Sequence, residues 1–299
     1  LSYKKAGEDF DINNTIVHGL RISNALYTLR SKKTRGTVLN EISNSFPKLV
    51  DGKMYLYSDT KQEIMMKQMI AEFAIFANTF VGEYLKINFN GAGIYRICNA
   101  KDWLHTVYPE ITGQELLNEI IVNGIRAEYL STVNSHDLVG APEYSHFTSP
   151  IRRLSDCVCH YLLKYIHLKN IGSDLQVPFS NDQLKKYSND CVKLTKSIKN
   201  IQHKDTKFRL IQSMSQLLLI HESIDIGYFI TSYTGGFLNI IVNKINEHKV
   251  YLSYILRIYD LQTEYTPKQE KQLTITKVNC MGAYDEGSIP ELDNLFIQV

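Results

Sequence analysis

The chain has 299 residues, of which 44% are hydrophobic, and its 33 Lys and Arg nearly balance its 31 Asp and Glu, for a formal net charge of +2. This length and composition predict one large or two smaller folded domains, and the near neutrality excludes a global basic field, so any anion-binding site must be local. No apolar run approaches the roughly 18 residues that a bilayer-spanning helix needs and no signal-like segment opens the chain, which predicts an intracellular protein without a membrane partner.

Helical periodicity dominates the first part of the sequence. Apolar residues three and four apart predict a helix from Ile12 to Arg35, which ends near Gly36 with basic residues where the helix dipole favours them. Residues 37–58 are rich in turn residues and predict a short strand pair. The clearest amphipathic helix runs from Lys61 to Leu85, and its predicted apolar stripe consists of Ile70, Phe73, Ala74, Ala77, Phe80, Val81, Tyr84 and Leu85.

Shorter elements follow in the middle of the chain. A glycine-rich bend at residues 90–93 precedes a predicted strand at Ile94–Ile97 and a predicted helix from Gly113 to Leu130. Ser149 as N-cap and Pro150 as the first helical residue predict a further helix, which runs to about Lys169.

A long helix is predicted beyond the loop that contains Gly172 and Pro178. Its narrow apolar seam runs from Leu184 to Ile201. Many lysines lie on its other faces, and they indicate either a solvated surface or a surface that faces RNA.

The pattern changes after about Leu219, where short period-two segments replace helical periodicity. Together the elements predict an α+β fold with a mainly helical domain over residues 1–219 and a small five-stranded antiparallel barrel of the OB type over residues 222–299. Such barrels are a common platform for single-stranded nucleic acid, and aromatic residues such as Tyr228 and Phe237 fit either base stacking or the barrel core. The five predicted strands are Gly227–Ile230, Phe237–Val242, Val250–Ile255, Leu273–Val278 and Leu295–Val299.

Two arginines stand where the helix after Ser149 is predicted to begin. Arg152 and Arg153 would oppose the helix dipole there, at a cost of roughly 0.3–1 kcal/mol each. Free N–H groups and two guanidiniums in one turn suit a tetrahedral anion such as a phosphodiester. Asp156 is in reach of either arginine, and it would hold one of them and leave the other free. The alternative is a structural Arg–Asp pair without a ligand.

The stretch from Tyr144 to Asp156, YSHFTSPIRRLSD, followed by His160, resembles the signature of the ribonuclease II and ribonuclease R family of processive 3′-to-5′ exoribonucleases. The resemblance is long and specific, and it covers essentially the whole chain. Further matching positions are Leu1–Tyr3, Leu29–Arg30, Arg35–Gly36, Ile70–Phe73, Ala77–Asn78 and Ile94–Arg96.

The resemblance implies a role for particular residues. It implies that Arg152 grips the scissile phosphate with support from Arg153, that Tyr3 clamps the terminal base, and that Glu72 lies near the RNA 3′ end. It also implies two Mg²⁺ ions and release of nucleoside monophosphates from single-stranded RNA. Membership of a multi-subunit RNA-processing complex is a separate expectation about partners. The expected RNA-binding residues are Tyr3, His146, Thr148 and Ser149, together with Tyr228 and Phe237 as aromatic residues of the predicted barrel.

The sequence departs from the family pattern in three places. It has no cluster of aspartates for the metal ions, so no residue of this chain is assigned as a metal ligand. It has Ala71 before Glu72 where the family has two carboxylates, and Leu154 where the family has an aromatic residue. Two hypotheses follow: the aspartates lie upstream of Leu1 in a longer enzyme, or the chain is a catalytically inactive RNA-binding or scaffold subunit.

Other site chemistries are disfavoured by the residue pattern. A serine hydrolase built from Ser149, His146 and Asp156 lacks the Gly-x-Ser-x-Gly elbow. The five cysteines contain no CxxC pair, which argues against a disulfide scaffold or a structural zinc site and fits a reducing compartment. A pure interaction module remains as a third possibility, and its RNA binding would be insensitive to Arg152→Ala.

Overall fold

A computed structural model describes residues 2–9, 11, 13–33, 45–107, 116, 119–120, 123–234, 237–250, 256–259, 270–278 and 296–298. The chain divides into two compact units. The first consists of Leu1–Glu41 and Lys61–Ser197, and the second consists of Ile42–Thr60 and Ile198–Val299. The domain boundary predicted near residue 220 stays a prediction.

The first unit opens with two capped helices. Helix α1 (Tyr3–Glu8) begins after Ser2, whose hydroxyl accepts a hydrogen bond from the Lys5 N–H at 3.1 Å. Helix α2 (Asn14–Lys33) begins after Asn13, whose side-chain oxygen accepts from the Thr15 N–H at 3.0 Å. A side-chain acceptor at this position satisfies a donor that the helix itself leaves unpaired. The predicted helix is confirmed over α2, and its end near Gly36 lies outside the described residues.

Helix α3 (Lys61–Asn88) is confirmed as the long helix of the first unit, but its predicted apolar stripe is partly wrong. Ile70 and Phe80 are 47% and 59% exposed, whereas Glu72 and Asn78 are buried. The reason is that both polar side chains have buried partners, so they take interior positions that periodicity assigns to apolar residues. The buried residues of α3 are Glu63, Met66, Glu72, Ile75, Asn78, Val81, Gly82 and Leu85.

The expectation that no apolar run in the chain is long enough to span a bilayer is wrong for α3. By length and hydropathy α3 is apolar enough to cross a bilayer. A single helix of this kind is weak evidence, because the core helix of a soluble protein passes the same test.

A two-stranded sheet lies beside α3. Strand β3 (Ala92–Ile97) pairs antiparallel with β4 (Glu128–Thr132), with Arg96 opposite Tyr129. The predicted strand is confirmed, and the short helix α4 (Lys101–Val107) follows it. The predicted helix from Gly113 to Leu130 is wrong at its end, because Glu128 to Leu130 pair with β3 instead; residues 116, 119 and 120 are helical.

Helix α5 (Leu154–Asn170) starts later than predicted. Ser149 is not its cap and Pro150 is not in its first turn; Arg153 occupies the N-cap position in an extended conformation, with φ −131° and ψ 123°. Asp156 in the first turn accepts the Ser149 N–H at 2.7 Å, which holds the preceding residues in a turn outside the helix. The core around α5 includes Leu85, Ile94, Tyr129, Cys159, Leu162, Ile166 and Leu184.

The predicted long helix is confirmed as α6 (Asn181–Leu218), which contributes residues to both units.

In the second unit β1 (Ser45–Val50) and β2 (Lys53–Ser58) form the predicted strand pair. Asp51 and Gly52 in their two-residue turn both have positive φ, 49° and 76°, as a type I′ hairpin turn requires.

The larger sheet of the second unit contains β5 (Ile224–Thr234), β6 (Phe237–Ile245), β7 (His248–Lys249), β8 (Leu256–Tyr259), β9 (Glu270–Ile275), β10 (Lys277–Val278) and β11 (Phe296–Gln298). Its strand order is β10-β11-β8-β6-β5-β9, and β7 pairs with β6. The prediction of an antiparallel sheet is wrong for one pair, since β11 runs parallel to β8. Residues 251–255 of the third predicted strand lie outside the described residues.

Candidate nucleic-acid interface

The segment from Tyr144 to Phe147 is fixed between α3 and β3. The Asn78 side chain donates to the Tyr144 hydroxyl at 3.0 Å and accepts the Phe147 N–H at 2.9 Å. The Ser145 hydroxyl donates to the Ile94 carbonyl at 2.8 Å, and Ser145 is fully buried. These bonds hold the chain in one conformation immediately before the arginine pair.

Arg153 is bound by a buried carboxylate. Its Nε and Nη2 atoms donate to the two oxygens of Asp156 at 2.8 Å each. Asp156 is fully buried and also accepts from the Ser149 N–H and from the Ser155 hydroxyl, at 2.7 and 3.0 Å. Of the two arrangements left open by the sequence, Asp156 therefore holds Arg153, and this pair fixes the turn rather than offering a charge to a ligand.

Arg152 lies at the exposed tip of the same turn. Its N–H donates to the Ser149 carbonyl at 3.3 Å, and the neighbouring Ile151 is fully exposed. In the described part of the chain, the Arg152 side chain has neither a hydrogen-bond partner nor an ion-pair partner. Both arginines precede α5 instead of lying inside its first turn, so the expected conflict with the helix dipole is reduced. The turn presents one free guanidinium beside one that is neutralised.

His146 belongs to a buried network beneath the turn. Its Nδ1 lies 2.7 Å from the Tyr129 hydroxyl, and its ring packs edge-on against Tyr129 and Tyr144. Burial, and next the charge of Arg153, lower the pKa of His146 to about 3. Burial likewise lowers the pKa of His136 to about 4. Both rings are neutral near pH 7, so the predicted RNA contact of His146 does not come from a histidine cation.

Glu72 pairs with Arg30 and not with Arg152 or Arg153. It is 3% exposed and forms a buried ion pair with Arg30, whose Nε donates to Oε2 at 3.2 Å and whose Nη2 donates to Oε1. Arg30 Nη1 also donates to the Val139 carbonyl. Within the described residues no contact joins Glu72 to Arg152 or Arg153, so the three predicted catalytic residues do not form one contact group.

A cleft of about 270 Å³ lies between α2 and α3, and Glu72 contributes to its wall. The other lining residues are Leu20, Ser23, Asn24, Tyr27, Met65, Gln68 and Met69. Because Arg30 already neutralises Glu72, the cleft offers no free carboxylate from that residue.

The remaining predicted RNA contacts differ in their exposure. Tyr3 on α1 is 45% exposed, with the Lys67 ammonium 5.9 Å from its ring centroid, and Thr148 is exposed. Ser149 is partly buried and uses its N–H and carbonyl within the turn. Tyr228 is only 7% exposed, which corrects its assignment as a base-stacking residue and supports the core alternative. The Phe237 side chain lies outside the described residues.

Two site features have no counterpart among the predicted site residues. Tyr129 joins His146 to Ser155, and the guanidinium of Arg96 lies over its ring, 4.7 Å from the centroid. The only signal in the sequence is a basic residue inside an otherwise apolar strand, Ile94 to Ile97. Its partner Tyr129 is 33 positions away and is placed by strand pairing, which local periodicity does not reveal.

Possible metal ligands are dispersed in this part of the chain. Nowhere in the described ranges do three or more His, Cys, Asp or Glu side chains group closely enough to hold a metal ion. Glu72 and Asp156 are each committed to an arginine.

The sequence matches one protein family over more than half of its length. The family model of the RNB domain matches residues 2–169. Ribonuclease R of Thermotoga maritima is 24% identical over 291 residues, which cover 83% of this chain and 38% of the relative.

Solved structures share the fold over 87–100% of the chain. An active-site mutant of the Dss1 exoribonuclease from Candida glabrata superimposes with a TM-score of 0.71 at 18% identity, covering 100% of this chain and 38% of that one. Mycoplasma genitalium RNase R in complex with ribose-methylated single-stranded RNA gives 0.66 at 15% identity, with 100% and 53% coverage. Yeast Ssd1, a pseudonuclease, gives 0.55 at 15% identity, with 87% and 35% coverage. The chain thus spans between about a third and a half of the length of these proteins.

Proposed function

Because the chain belongs to the RNB domain family, we propose that it is part of a processive 3′-to-5′ exoribonuclease that hydrolyses single-stranded RNA to nucleoside monophosphates. The observation that most supports this proposal is the turn before α5. There the Arg152 side chain is exposed and forms no ion pair with any carboxylate of the described residues, whereas the charge of the adjacent Arg153 is neutralised by Asp156.

Arg152 is suited to the scissile phosphate. A guanidinium donates two parallel N–H bonds to phosphate oxygens, which fixes orientation as well as charge. In the hydrolysis, a water oxygen bonds to phosphorus, the bond from phosphorus to the 3′ oxygen breaks, and that oxygen leaves with the proton that water gives up. Negative charge on the non-bridging oxygens must be stabilised during this step, and a preorganised cation does so without reorganising.

Arg153 and Asp156 act in the proposal as positioning residues. Their two bonds of 2.8 Å, with the Ser149 bond of 2.7 Å, hold the backbone from which Arg152 extends. A rigid support reduces the entropy that is lost when Arg152 closes on a phosphate. Thr148 is exposed on the same segment, and Tyr3 offers a half-exposed ring for stacking on a base.

The described residues do not fit the metal ions that the family resemblance implies. Mg²⁺ is bound through hard oxygen ligands, chiefly carboxylates and water. In the described ranges such side chains do not cluster, and Glu72 is paired with Arg30. A requirement for Mg²⁺ is therefore a prediction about the whole protein, and none of the roles proposed for Arg152, Arg153 or Asp156 depends on a metal.

The larger sheet of the second unit supports an OB-type barrel as an RNA-binding part. Strand β9 lies beside β5 at one end of the strand order, and β10 lies beside β11 at the other. Thr276 alone separates β9 from β10, so one continuous segment supplies the strand at each end of the strand order. A sheet of seven strands whose two ends share one segment supports a partly open Greek-key barrel of the OB type, although the strand count differs from the predicted five.

A catalytically inactive RNA-binding or scaffold protein is the second candidate function. It is favoured by the dispersed carboxylates of the described residues and by the pairing of Glu72 with Arg30. The structural similarity to Ssd1, a pseudonuclease, agrees with it at the level of the fold. An intracellular location and membership of a multi-subunit RNA-processing complex are predictions shared by both candidates.

One assay separates these functions. The full-length protein is incubated with 5′-labelled single-stranded RNA in Mg²⁺ or in excess chelator, as wild type, Arg152→Ala and the exposed-arginine control Arg21→Ala. The nuclease proposal predicts Mg²⁺-dependent shortening from the 3′ end that Arg152→Ala slows about 100-fold or more, with Arg21→Ala near wild type. RNA binding without shortening, weakened by Arg152→Ala, would support the inactive candidate. A wild-type protein that neither shortens nor binds RNA would overturn the nuclease proposal and the RNA-binding form of the second candidate.

A further inference from the structure

Three arginines of the described residues are partly buried, and they differ in their counter-charges. Arg30 is paired with Glu72 and Arg153 with Asp156. Arg96 is also partly buried, yet in the described part of the chain it has no carboxylate within ion-pair distance. Its cationic group is therefore the one in this set that no described carboxylate contacts.

The backbone and the Tyr129 ring fix the position of Arg96. Its N–H donates to the Tyr144 carbonyl at 2.8 Å, and strand pairing puts it directly opposite Tyr129. Its guanidinium carbon lies 4.7 Å from the Tyr129 ring centroid. This geometry is that of a cation–π contact, which stabilises a cation but leaves the N–H donors of the guanidinium unused.

Arg96 shares its surroundings with the arginine turn. The Tyr129 hydroxyl bonds His146 at 2.7 Å and lies 3.4 Å from the Ser155 hydroxyl, which donates to Asp156 at 3.0 Å. A chain of contacts therefore leads from Arg96 to the Arg153–Asp156 pair. Arg153 and Arg96 both lower the pKa of the partly buried His146, although burial lowers it most. Both cations thus act on one small region.

The described carboxylates of this region do not compensate fully for Arg96. Asp156 is fully used by Arg153, Ser149 and Ser155. Glu128 is opposite Ile97 in the strand pairing and makes no ion pair with Arg96, and burial lowers the pKa of Arg96 despite the charge of Glu128. Keeping a cation partly out of water without a paired anion is unfavourable, and the cost is recovered when an anion binds.

We propose that Arg96 binds a phosphate of the same RNA strand that Arg152 holds, at a second position along that strand. This inference rests on the proposed function. Partial exposure lets a phosphate reach the guanidinium, and the Tyr129 ring holds the guanidinium plane in place. A stack of this kind leaves the edge of the guanidinium for a bidentate contact with phosphate oxygens.

The test is a neutral-linkage scan. The full-length protein is titrated with single-stranded RNAs that each carry one uncharged methylphosphonate linkage at a successive position. Wild type is compared with Arg96→Gln, Arg96→Lys, Arg152→Ala and Arg21→Gln, the last removing one exposed charge from the same unit. Thermal unfolding of each variant is recorded in parallel.

The expected result is a specific loss. Arg96→Gln lowers affinity for unmodified RNA about tenfold, and the sensitivity to neutralisation at one linkage disappears, while a different linkage loses its sensitivity in Arg152→Ala. The slope of affinity against salt falls by about 0.7 for one contact with a single strand. Arg96→Lys retains part of the affinity, because it keeps the charge but loses the fork. The melting temperature of Arg96→Gln stays at or above that of wild type, since an unpaired cation is removed.

Other outcomes would overturn the inference separately from the proposed function. Suppose that wild type binds RNA, that Arg152→Ala lowers the affinity, and that Arg96→Gln behaves like Arg21→Gln. Arg96 then contacts no phosphate of the RNA, and only this inference fails. If Arg96→Gln melts far below wild type and keeps the wild-type sensitivity to neutralisation at every linkage, then Arg96 has a packing role and contacts no phosphate. If wild type does not bind RNA at all, then the proposed function fails first.

Discussion

The guanidinium of Arg153 and the carboxylate of Asp156 form a two-point ion pair, with both N···O distances at 2.8 Å and the carboxylate fully buried. The arginine one position earlier has no such partner among the described residues. Two adjacent residues of one type therefore have opposite roles, one that supports the turn and one that is open to a ligand.

This difference predicts that Asp156→Asn lowers stability much more than Arg152→Ala does. Asp156→Asn breaks a buried pair and leaves Arg153 without its counter-charge, so we expect the free energy of unfolding to fall by about 3–5 kcal/mol. Arg152→Ala removes an exposed side chain, so we expect a change within about 0.5 kcal/mol. Urea denaturation monitored by circular dichroism measures both. Equal losses for the two variants would contradict the division of roles.

Glu72 is expected from the sequence near the RNA 3′ end, and its burial with Arg30 predicts a structural effect instead. Glu72→Gln should lower the free energy of unfolding by about 3–5 kcal/mol, because it leaves the Arg30 charge uncompensated. The paired replacement Arg30→Met with Glu72→Met should recover much of that loss, because both charges are removed together. A Glu72→Gln protein with wild-type stability and no nuclease activity would instead return Glu72 to the catalytic group.

Stability should depend on pH through His146 and His136. Both have folded-state pKa values, about 3 and about 4, below the ordinary 6.5. Between these values and 6.5 the unfolded chain binds protons that the folded chain does not, so stability rises with pH in this window and is lost as the pH falls. The slope is at most about 1.4 kcal/mol per pH unit for each histidine.

The measurement is the free energy of unfolding between pH 4 and pH 7.5 for wild type and His146→Gln. The variant should show a shallower dependence on pH. An unchanged slope would mean that His146 titrates normally in the folded protein and that the network with Tyr129 is open to water.

Two helical glycines provide a matched pair. A Cβ at Gly82 would lie 3.0 Å from backbone atoms of Glu143 and Tyr144, whereas a Cβ at Gly19 would meet only the flexible Met69 side chain. We expect Gly82→Ala to cost about 1–3 kcal/mol and to weaken RNA binding by displacing the segment that carries the arginines. Gly19→Ala should be near neutral, because the gain of up to about 1 kcal/mol in helix propensity offsets the movement of Met69. Thermal melts and RNA titrations of both variants check this, and equal effects would exclude the backbone contact as the cause.

Local patterns predict the elements better than their ends. Periodicity identifies α2, α3, α5 and α6, and the Asp51–Gly52 turn identifies the β1–β2 hairpin. The start of α5 differs by about four residues, because Asp156 in the first turn accepts the Ser149 N–H and holds residues 149–153 in a turn before the helix. Strand β4 lies where periodicity predicts the end of a helix, because its conformation depends on pairing with β3, more than 30 residues earlier.

The candidate site is predictable only in part for a similar reason. The segment from Tyr144 to Asp156 points to the arginines, and spacing shows that Asp156 reaches either of them. Which arginine it holds depends on where α5 begins, and the burial of Tyr228 depends on the whole sheet. The role proposed for Arg96 rests on its contact with Tyr129, which joins distant parts of the chain.

Strands β9 and β10 occupy opposite borders of the larger sheet although Thr276 alone stands between them. Residues 270–278 therefore shield the outer peptide groups of β5 and of β11 at the same time. Detaching this one segment, by proteolysis or by a proline within it, would bare two rows of unpaired amides together and leave a sheet prone to self-association. Among the described residues of this unit, the nine-residue segment 270–278 therefore covers both borders of the sheet.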